Sequence, residues 1–199
     1  MSGNFFWYEL MTSDPDAARK FYCDVVGWGT EDGTEGYRLF TAESRGVAGL
    51  MKLPEHVREG GGRPCWMGYI AVEDVDDAVE EIGEEGGGVH REPFEIPGII
   101  RLAVVSDPQG AVFIVARGLM ENPPPELPAG TPGTVGWHEL YAEDAEDVFD
   151  FYESMFGWTK TQAMDMGPAG VYHIFATGGA PVGGMMDKPE QVPVPAWLF

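Results

Sequence analysis

The first alternation of hydrophobic and polar positions runs from Phe5 to Met11, in a segment rich in aromatic residues. A period of two is typical of a β-strand, and it places Trp7, Glu9 and Met11 on one face. An apolar pattern of helical period follows, between an Asp14-Pro15 start and a Gly27 end. Three short strands are then predicted up to residue 53. This βαβββ order predicts an α+β fold.

The same order of elements recurs along the chain. Residues 67–117 predict a second βαβββ module, whose last two strands are joined by the turn Asp107-Pro108-Gln109-Gly110. A third module begins at Thr134, and its Trp137-His138-Glu139-Leu140 repeats Trp7-Tyr8-Glu9-Leu10 at an offset of 130 residues. Self-similarity of this kind indicates that the chain is built from repeated units.

The modules suggest a division of the chain into domains. Residues 1–117 are predicted to form one domain from two modules, and residues 118–133, which include Pro123-Pro124-Pro125, a proline-rich linker. Residues 134–199 are predicted to form the first module of a second, truncated domain. An unpartnered sheet would expose an apolar face and a free edge. We therefore expect either a shortened domain or a homodimer through the third module.

The charge of the chain limits its partners. The 33 acidic residues outnumber the 12 lysines and arginines, which gives a net charge of −21 and a pI near 4.3. Because this charge repels phosphates, we expect no nucleic-acid partner and no membrane association. So many acidic residues are typical of solvated helix faces, although their negative field would also attract a cationic small molecule. The two cysteines, Cys23 and Cys65, are expected to be reduced in a cytoplasmic protein.

Several motifs together resemble the vicinal-oxygen-chelate superfamily, which includes glyoxalase I, bleomycin-resistance proteins, fosfomycin-resistance enzymes and extradiol dioxygenases. They are the βαβββ order, the Asp14–Ala18 helix start, Phe21-Tyr22, Gly27-Trp28 and the Asp107–Gly110 hairpin. The Trp-x-Glu-Leu opening is similar to that of tandem actinobacterial glyoxalase-like proteins. The resemblance implies that the first two modules curl their sheets around one cleft, with the third module in addition.

In the enzymes of that superfamily, His, Gln or Glu side chains on the cleft floor hold a divalent metal. The resemblance assigns those positions to Trp7, Met51, Tyr69 and Ile114, none of which is a usual ligand for such a metal. We expect surface or packing roles for the four histidines (His56, His90, His138 and His173). The sequence therefore predicts a protein without a metal and without a cofactor.

The same resemblance implies an aromatic and apolar cleft. Its predicted lining is Trp7, Met11, Met51, Tyr69 and Ile114, with Trp66 at the rim and with Trp137 and Glu139 as counterparts in the third module. Such a surface suits a flat, hydrophobic ligand. The alternative is that these side chains simply fill the cleft.

Glu9 is the acid on this predicted face. A carboxylate among apolar side chains is costly unless it is paired or protonated. It would therefore act as a general base together with Tyr69, or hold a cation. The alternative is a structural carboxylate that accepts backbone hydrogen bonds or pairs with Arg38 or Arg101.

Three functions follow from these observations. The first is the binding or sequestration of a small apolar or aromatic molecule, including a cationic one, as in the bleomycin-resistance branch. The second is a metal-independent cyclase, isomerase or hydrolase of secondary metabolism that uses Glu9 and Tyr69. The third is a non-catalytic interaction scaffold. Binding is the preferred hypothesis.

Overall fold

Three βαβββ modules follow one another in the computed structural model, which describes residues 3–33, 36–125, 127–128 and 130–199. The first module consists of β1 (Phe5–Thr12), α1 (Pro15–Val26), β2 (Gly29–Asp32), β3 (Arg38–Ala42) and β4 (Arg45–Lys52). A short helix, α2 (Glu55–Glu59), leads to the second module, which consists of β5 (Cys65–Ala71), α3 (Val75–Glu84), β6 (Gly88–Ile96), β7 (Ile100–Ser106) and β8 (Val112–Gly118). The third consists of β9 (His138–Ala142), α4 (Ala145–Phe156), β10 (Thr159–Asp165), β11 (Val171–Ala176) and β12 (Pro181–Asp187), followed by β13 (Ala196–Leu198). The predicted α+β fold of βαβββ modules is confirmed.

The helices α1 and α4 begin and end as the sequence predicts. The Asp14 carboxylate accepts a hydrogen bond from the first turn of α1 at 3.0 Å, and Asp144 does the same for α4. Each helix ends at a glycine with left-handed backbone, Gly27 at φ 81° and Gly157 at φ 66°. Capping chemistry in the sequence therefore fixes both ends of both helices.

Two elements differ from the sequence-based expectation. The segment around His56 forms α2, although no helix is predicted there. At the end of the chain, β13 pairs antiparallel with β9 and places Trp197 opposite Leu140. Trp197 is buried, with 6% of its surface exposed. β13 therefore occupies the edge of β9, and this short strand forms the end of the sheet in place of β9.

The chain divides into two compact units. The described parts of residues 7–68 and 125–136 form the smaller unit, with strand order β2-β3-β4-β1 and with β1 parallel to β4. Residues 3–6, 69–124 and 137–199 form the larger unit, which contains strands in the orders β5-β8-β7-β6 and β10-β11-β12-β9-β13. The domain boundaries predicted at residues 118–133 stay a prediction, and positions 126 and 129 lie outside the described residues.

Aromatic side chains fill the core of the larger unit. The ring of Trp158 stacks between those of Tyr152 and Phe175, with centroid distances of 4.9 and 4.5 Å. On the other side of α4, Phe151 and the ring of Phe113 in β8 approach to 6.5 Å. The second and third modules therefore share one core, and α4 contributes both of its faces to it.

The corresponding helix of the smaller unit is much less buried. Phe21 and Val25 of α1 are 56% and 66% exposed, whereas Phe151, which corresponds to Phe21 in the repeat, is 5% exposed. The apolar pattern of α1 therefore does not correspond to burial at Phe21 and Val25. Tyr22 does pack inward, with its ring 5.6 Å from that of Phe40.

Among the described residues, we find no helix that combines the length and the apolar character needed to cross a membrane.

Candidate functional site

Trp7, Tyr37 and Glu9 form a hydrogen-bonded chain on one face of the smaller unit. The indole Nε1 of Trp7 donates to the hydroxyl of Tyr37 at 3.3 Å, and that hydroxyl donates to the Glu9 carboxylate. Glu9 is buried, with 8% of its surface exposed. Burial, followed by the negative charge of Glu9, raises the pKa of Tyr37. The phenol therefore stays protonated and keeps its hydrogen bond to the carboxylate.

A glycine opposite Glu9 makes room for this arrangement. Gly49 pairs with Glu9 in the register of β1 and β4. A Cβ atom at Gly49 would overlap the phenol ring of Tyr37, so the ring lies directly against the backbone of β4. The close approach of ring and backbone requires a residue without a side chain at this position.

Two methionines extend the same face. Met11 and Met51 pair in the register of β1 and β4, and both are half-buried, as is Trp7. The predicted residues Trp7, Glu9, Met11 and Met51 therefore lie together in one unit. Cys65 is close to Glu9 as well: burial and then the charge of Glu9 raise the pKa of its thiol, although the residue as a whole is exposed.

Tyr69 and Ile114 belong to the larger unit. They pair in the register of the parallel strands β5 and β8, and they are 5% and 2% exposed. The ring of Tyr69 also meets the edge of Phe6, at a centroid distance of 6.2 Å. The single cleft that would combine them with Trp7 and Glu9 stays a prediction.

Trp66 lies in an aromatic cluster at α1 in the smaller unit. Its indole Nε1 donates to the hydroxyl of Tyr22 at 2.7 Å, and its ring lies 6.1 Å from Trp28 and 6.3 Å from Phe40. These contacts make Trp66 part of the packing of α1, and its position at a cleft rim stays a prediction.

The third module repeats the chain of hydrogen bonds with its own residues. Trp137 Nε1 donates to the Tyr172 hydroxyl at 2.7 Å, and this hydroxyl donates to Glu139 Oε2 at 3.1 Å. Gly184 pairs with Glu139, and a Cβ atom there would overlap the Tyr172 ring. Trp137 and Glu139 therefore correspond to Trp7 and Glu9 in structure as well as in sequence. Tyr172 and Gly184 correspond to Tyr37 and Gly49.

Sequence reasoning missed the two tyrosines. A signal for them exists, because Tyr37 precedes Gly49 by twelve residues and Tyr172 precedes Gly184 by the same number. An alignment of the first and third modules that starts at Gly49 and Gly184 and continues backwards along the chain would have paired the two tyrosines.

The copy in the third module is more open than the one in the smaller unit. Trp137 is 37% exposed, and Glu139 and Tyr172 are half-buried. Tyr141, which occupies the position of Met11 in the repeat, lies near enough to Glu139 for the carboxylate to act on its phenol. The charge of Glu139 raises the pKa of both phenols, after the larger effect of burial for each.

The expected arginine partners of Glu9 bind other acids. Arg38 Nη1 lies 2.6 Å from Asp16, and Arg101 Nη2 lies 2.7 Å from Asp76. The alternative in which Glu9 pairs with Arg38 or Arg101 is therefore wrong for both residues, and the Tyr37 phenol is one partner of Glu9 in the structure.

His138 and His173 have packing and surface contacts in the larger unit. His138 is 6% exposed, its Nδ1 lies 2.7 Å from the carbonyl oxygen of Val182, and its ring stacks on Phe5 at 4.2 Å. Burial lowers its pKa from 6.5 to about 4. His173 Nε2 lies 3.3 Å from a carboxylate oxygen of Glu146. Of the remaining two histidines, one lies in α2 and the other in β6.

The residues at the superfamily's metal positions do not fit a divalent metal. The indole N–H of Trp7 is a donor without a free lone pair, and Met51 and Ile114 offer no hard ligand. Tyr69 is a buried phenol, which is not a usual ligand of the metals that this superfamily binds. Across the part of the chain that the structure describes, no three His, Cys, Asp or Glu side chains converge as a metal site requires.

The sequence is similar to proteins of mycobacteria and streptomycetes. It is 33% identical over 190 residues to CFP32 of Mycobacterium bovis, whose name assigns it provisionally to the glyoxylases; the match covers 92% of this chain and 70% of CFP32. It is 32% identical over 197 residues to the anthracycline biosynthesis protein DnrV of Streptomyces peucetius, covering 91% of this chain and 70% of DnrV.

Solved structures share the fold at low sequence identity. The Mn(II)-bound glyoxalase from Novosphingobium aromaticivorans superposes with a TM-score of 0.65 at 19% identity, covering 94% of this chain and 62% of that one. A variant of homoprotocatechuate 2,3-dioxygenase from B. fuscum gives a TM-score of 0.66 at 17% identity, covering 94% of this chain and 54% of that one. This chain therefore spans less than two thirds of the length of either enzyme.

A family model supports the same assignment directly, since it matches residues 4–115, which contain the whole first module and most of the second. Together with the curated relatives, this match shows that the chain belongs to the Glyoxalase/Bleomycin resistance protein/Dioxygenase superfamily.

Proposed function

We propose that this protein binds a small, flat and mainly apolar molecule, without a metal, on the face of the smaller unit that carries Trp7. The observation that carries the proposal is the grouping of Trp7, Met11 and Met51, all half-buried, around Glu9. An indole ring stacks on flat ligands, and thioether side chains adapt to their shape. Glu9 and Tyr37 supply the polar contacts that would orient the ligand.

The relatives favour an aromatic polycyclic ligand. DnrV is named for anthracycline biosynthesis, and anthracyclines have a tetracyclic aromatic core. A planar molecule of that kind matches an indole flanked by two methionines. We therefore propose a ligand of the aromatic polyketide class, handled in secondary metabolism by binding or sequestration.

The proposal of metal independence rests on donor chemistry. Trp7 and Met51 occupy positions where the superfamily's enzymes hold a divalent metal, and neither side chain binds such an ion well. We expect the protein to bind its ligand with equal affinity before and after dialysis against EDTA. Near-stoichiometric Fe, Mn, Ni or Zn in the purified protein, with loss of binding on removal, would contradict this part.

A titration with 1,8-dihydroxyanthraquinone tests the binding site. The probe is planar and aromatic, and its binding is followed by calorimetry and by quenching of tryptophan fluorescence. We expect Trp7→Ala to weaken binding at least tenfold, because stacking on an aromatic ring is worth about 1 kcal/mol or more beyond the area that it buries. The matched variant Trp137→Ala removes the corresponding indole of the third module and should leave the affinity unchanged.

Two outcomes of this titration would overturn the proposal. Equal affinity of Trp7→Ala and the unaltered protein would remove the site from the smaller unit. A complete lack of binding to this probe and to a panel of related polycyclic aromatics would leave the interaction-scaffold hypothesis as the surviving one.

A second candidate function is proton transfer by Glu9 and Tyr37. The supporting observation is their hydrogen bond, in a buried setting that raises the pKa of the phenol. Tyr37 thus takes the role that the sequence-based hypothesis gave to Tyr69. In this alternative the protein is a metal-independent enzyme of secondary metabolism, with Glu9 as the base and Tyr37 as the group that orients it.

Chemical analysis of the bound molecule separates the two candidates. A binding protein returns its ligand unchanged after prolonged incubation. An enzyme converts it, and Glu9→Gln then abolishes conversion while it preserves affinity. The proposed function requires the first result.

A further inference from the structure

We infer that the third module carries a second binding site, independent of the proposed function, which takes an organic ammonium group. Its parts are the Glu139 carboxylate and the side chains of Trp137, Tyr141 and Tyr172. The ligand would be a primary or quaternary amine with an apolar body.

The carboxylate of Glu139 has capacity for a further partner. It accepts a hydrogen bond from the hydroxyl of Tyr172 at 3.1 Å, and the phenol of Tyr141 lies near enough to feel its charge. A carboxylate offers about four lone-pair positions, so the two phenols occupy at most about half of them. Both partners are neutral, so the negative charge stays available to a cation.

The positive charges of the third module are committed elsewhere. Residues 134–199, all of which the structure describes, contain ten acidic residues against two lysines and no arginine. Lys160 Nζ lies 2.7 Å from Glu146, and Lys188 Nζ lies 3.0 Å from Glu143. An external cation would therefore enter a strongly negative field and meet Glu139 as a partner.

Aromatic and apolar side chains surround the carboxylate on an open face. Trp137 is 37% exposed, Met164 lies opposite Tyr172 and is 40% exposed, and Leu198 lies opposite Glu139 and is 44% exposed. Indole and phenol rings attract cations through their π-systems. A charged head with a hydrophobic body matches this combination better than an inorganic ion does.

A surface cavity adjoins the face and would hold the body of the ligand. Its volume is about 380 Å³, and its lining includes Met186, Gly170 and Glu190. Met186 pairs with Tyr141 in the register of β12 and β9, so the cavity begins one strand away from the proposed ammonium position. Its size is within the range of small-molecule sites.

Two isosteric probes test the inference. Protonated 2-phenylethylamine carries the ammonium group, and 2-phenylethanol has the same size without the charge. We expect the amine to bind at least tenfold more tightly, by calorimetry and ligand-observed NMR, and to weaken as the salt concentration rises. Equal affinity for the two probes would overturn the inference.

Matched variants locate the site. Glu139→Gln should weaken amine binding at least tenfold, and Trp137→Leu at least threefold, whereas Glu9→Gln should leave it unchanged. Because Glu139 is on an open face, Glu139→Gln should preserve the fold. Trp137→Leu is a second, separate test of the site, in which the Glu139 carboxylate is still present. Loss of amine binding in Glu9→Gln, or full binding in Glu139→Gln and Trp137→Leu, would overturn the inference. The anthraquinone titration of Trp7→Ala reports on the proposed function separately.

Discussion

The hydroxyl of Tyr152 donates a hydrogen bond to the carboxylate of Asp107 at 2.9 Å in the core of the larger unit. The same hydroxyl accepts a hydrogen bond from Trp197 Nε1 at 3.1 Å. Asp107 in turn accepts two backbone hydrogen bonds of its own turn, from Gln109 and Ala111, at 2.9 Å each. A chain of tryptophan, tyrosine and carboxylate therefore also joins β13, α4 and the β7–β8 turn, here in a structural role.

We predict that Tyr152→Phe lowers the free energy of unfolding by about 1–3 kcal/mol, because it leaves a buried carboxylate and a buried indole N–H with one partner fewer. Urea denaturation measures the change. The control is Tyr172→Phe, which removes a hydroxyl from an open face where water replaces it, and it should cost less than about 1 kcal/mol. Similar losses for the two variants would contradict the structural role of Tyr152.

The helices α1 and α4 offer a second matched comparison. Phe151→Ala should destabilise the protein by about 3–5 kcal/mol, because it empties a fully packed position against Phe113. Phe21→Ala, at the corresponding position of the repeat, removes a side chain that is 56% exposed and should cost less than about 1 kcal/mol. Chemical denaturation of both variants measures these changes in the free energy of unfolding. A large decrease for Phe21→Ala would mean that another surface covers α1 in solution.

His138 should make stability depend on pH. Its folded pKa of about 4 lies below the ordinary value of 6.5, so the unfolded chain binds the proton more readily. The neutral ring contributes up to about 3 kcal/mol to the free energy of unfolding. This contribution is fully present above pH 6.5 and is lost as the pH falls toward 4. We predict that His138→Phe, which keeps an aromatic ring beside Phe5, removes this part of the pH dependence.

The measurement is the difference between the unfolding free energies of the unaltered protein and His138→Phe at several pH values. Subtracting the two curves cancels the titration of the acidic residues that both proteins share. A difference that stays constant between pH 7 and pH 4.5 would show that His138 is accessible to protons in the folded state.

We also predict a homodimer through the open face of the third module. Met164 and Leu198 expose apolar area at the edge of this face, and pairing two copies along that edge would build a composite cleft that keeps Trp137 and Glu139 open to water. Sedimentation velocity at micromolar concentration should give a dimer, and Met164→Glu should shift it toward monomer. A monomer for the unaltered protein at that concentration would eliminate the composite cleft.

Local signals in the sequence account for much of the fold. Asp14, Asp144, Gly27 and Gly157 set helix ends through short-range capping, which depends only on neighbouring residues. The burial of α1 could not be read in this way. Its apolar pattern resembles that of α4, but only α4 has the second module against its outer face, and a single helix pattern does not tell whether a partner is present.

The residues of the candidate site were likewise predictable only where the signal is local in sequence. Strand alternation correctly grouped Trp7, Glu9 and Met11, because side chains of one strand face a common side every second residue. Tyr37, which directly precedes β3, reaches Glu9 of β1 across the intervening strand β4, and such a contact depends on register rather than on nearby sequence. The expected arginine pairs failed for a related reason, since Arg38 and Arg101 found acidic partners, Asp16 and Asp76, at the starts of helices.

The glycine beneath each phenol has an evolutionary consequence. A methyl group at Gly49 or Gly184 would occupy the space of the Tyr37 or Tyr172 ring, so the glycine cannot be exchanged while its tyrosine stays in place. Among descendants of this chain, we expect every copy that keeps the tyrosine to keep the glycine twelve positions later. A survey of tandem sequences for that coupled pattern would recognise the arrangement without any coordinates.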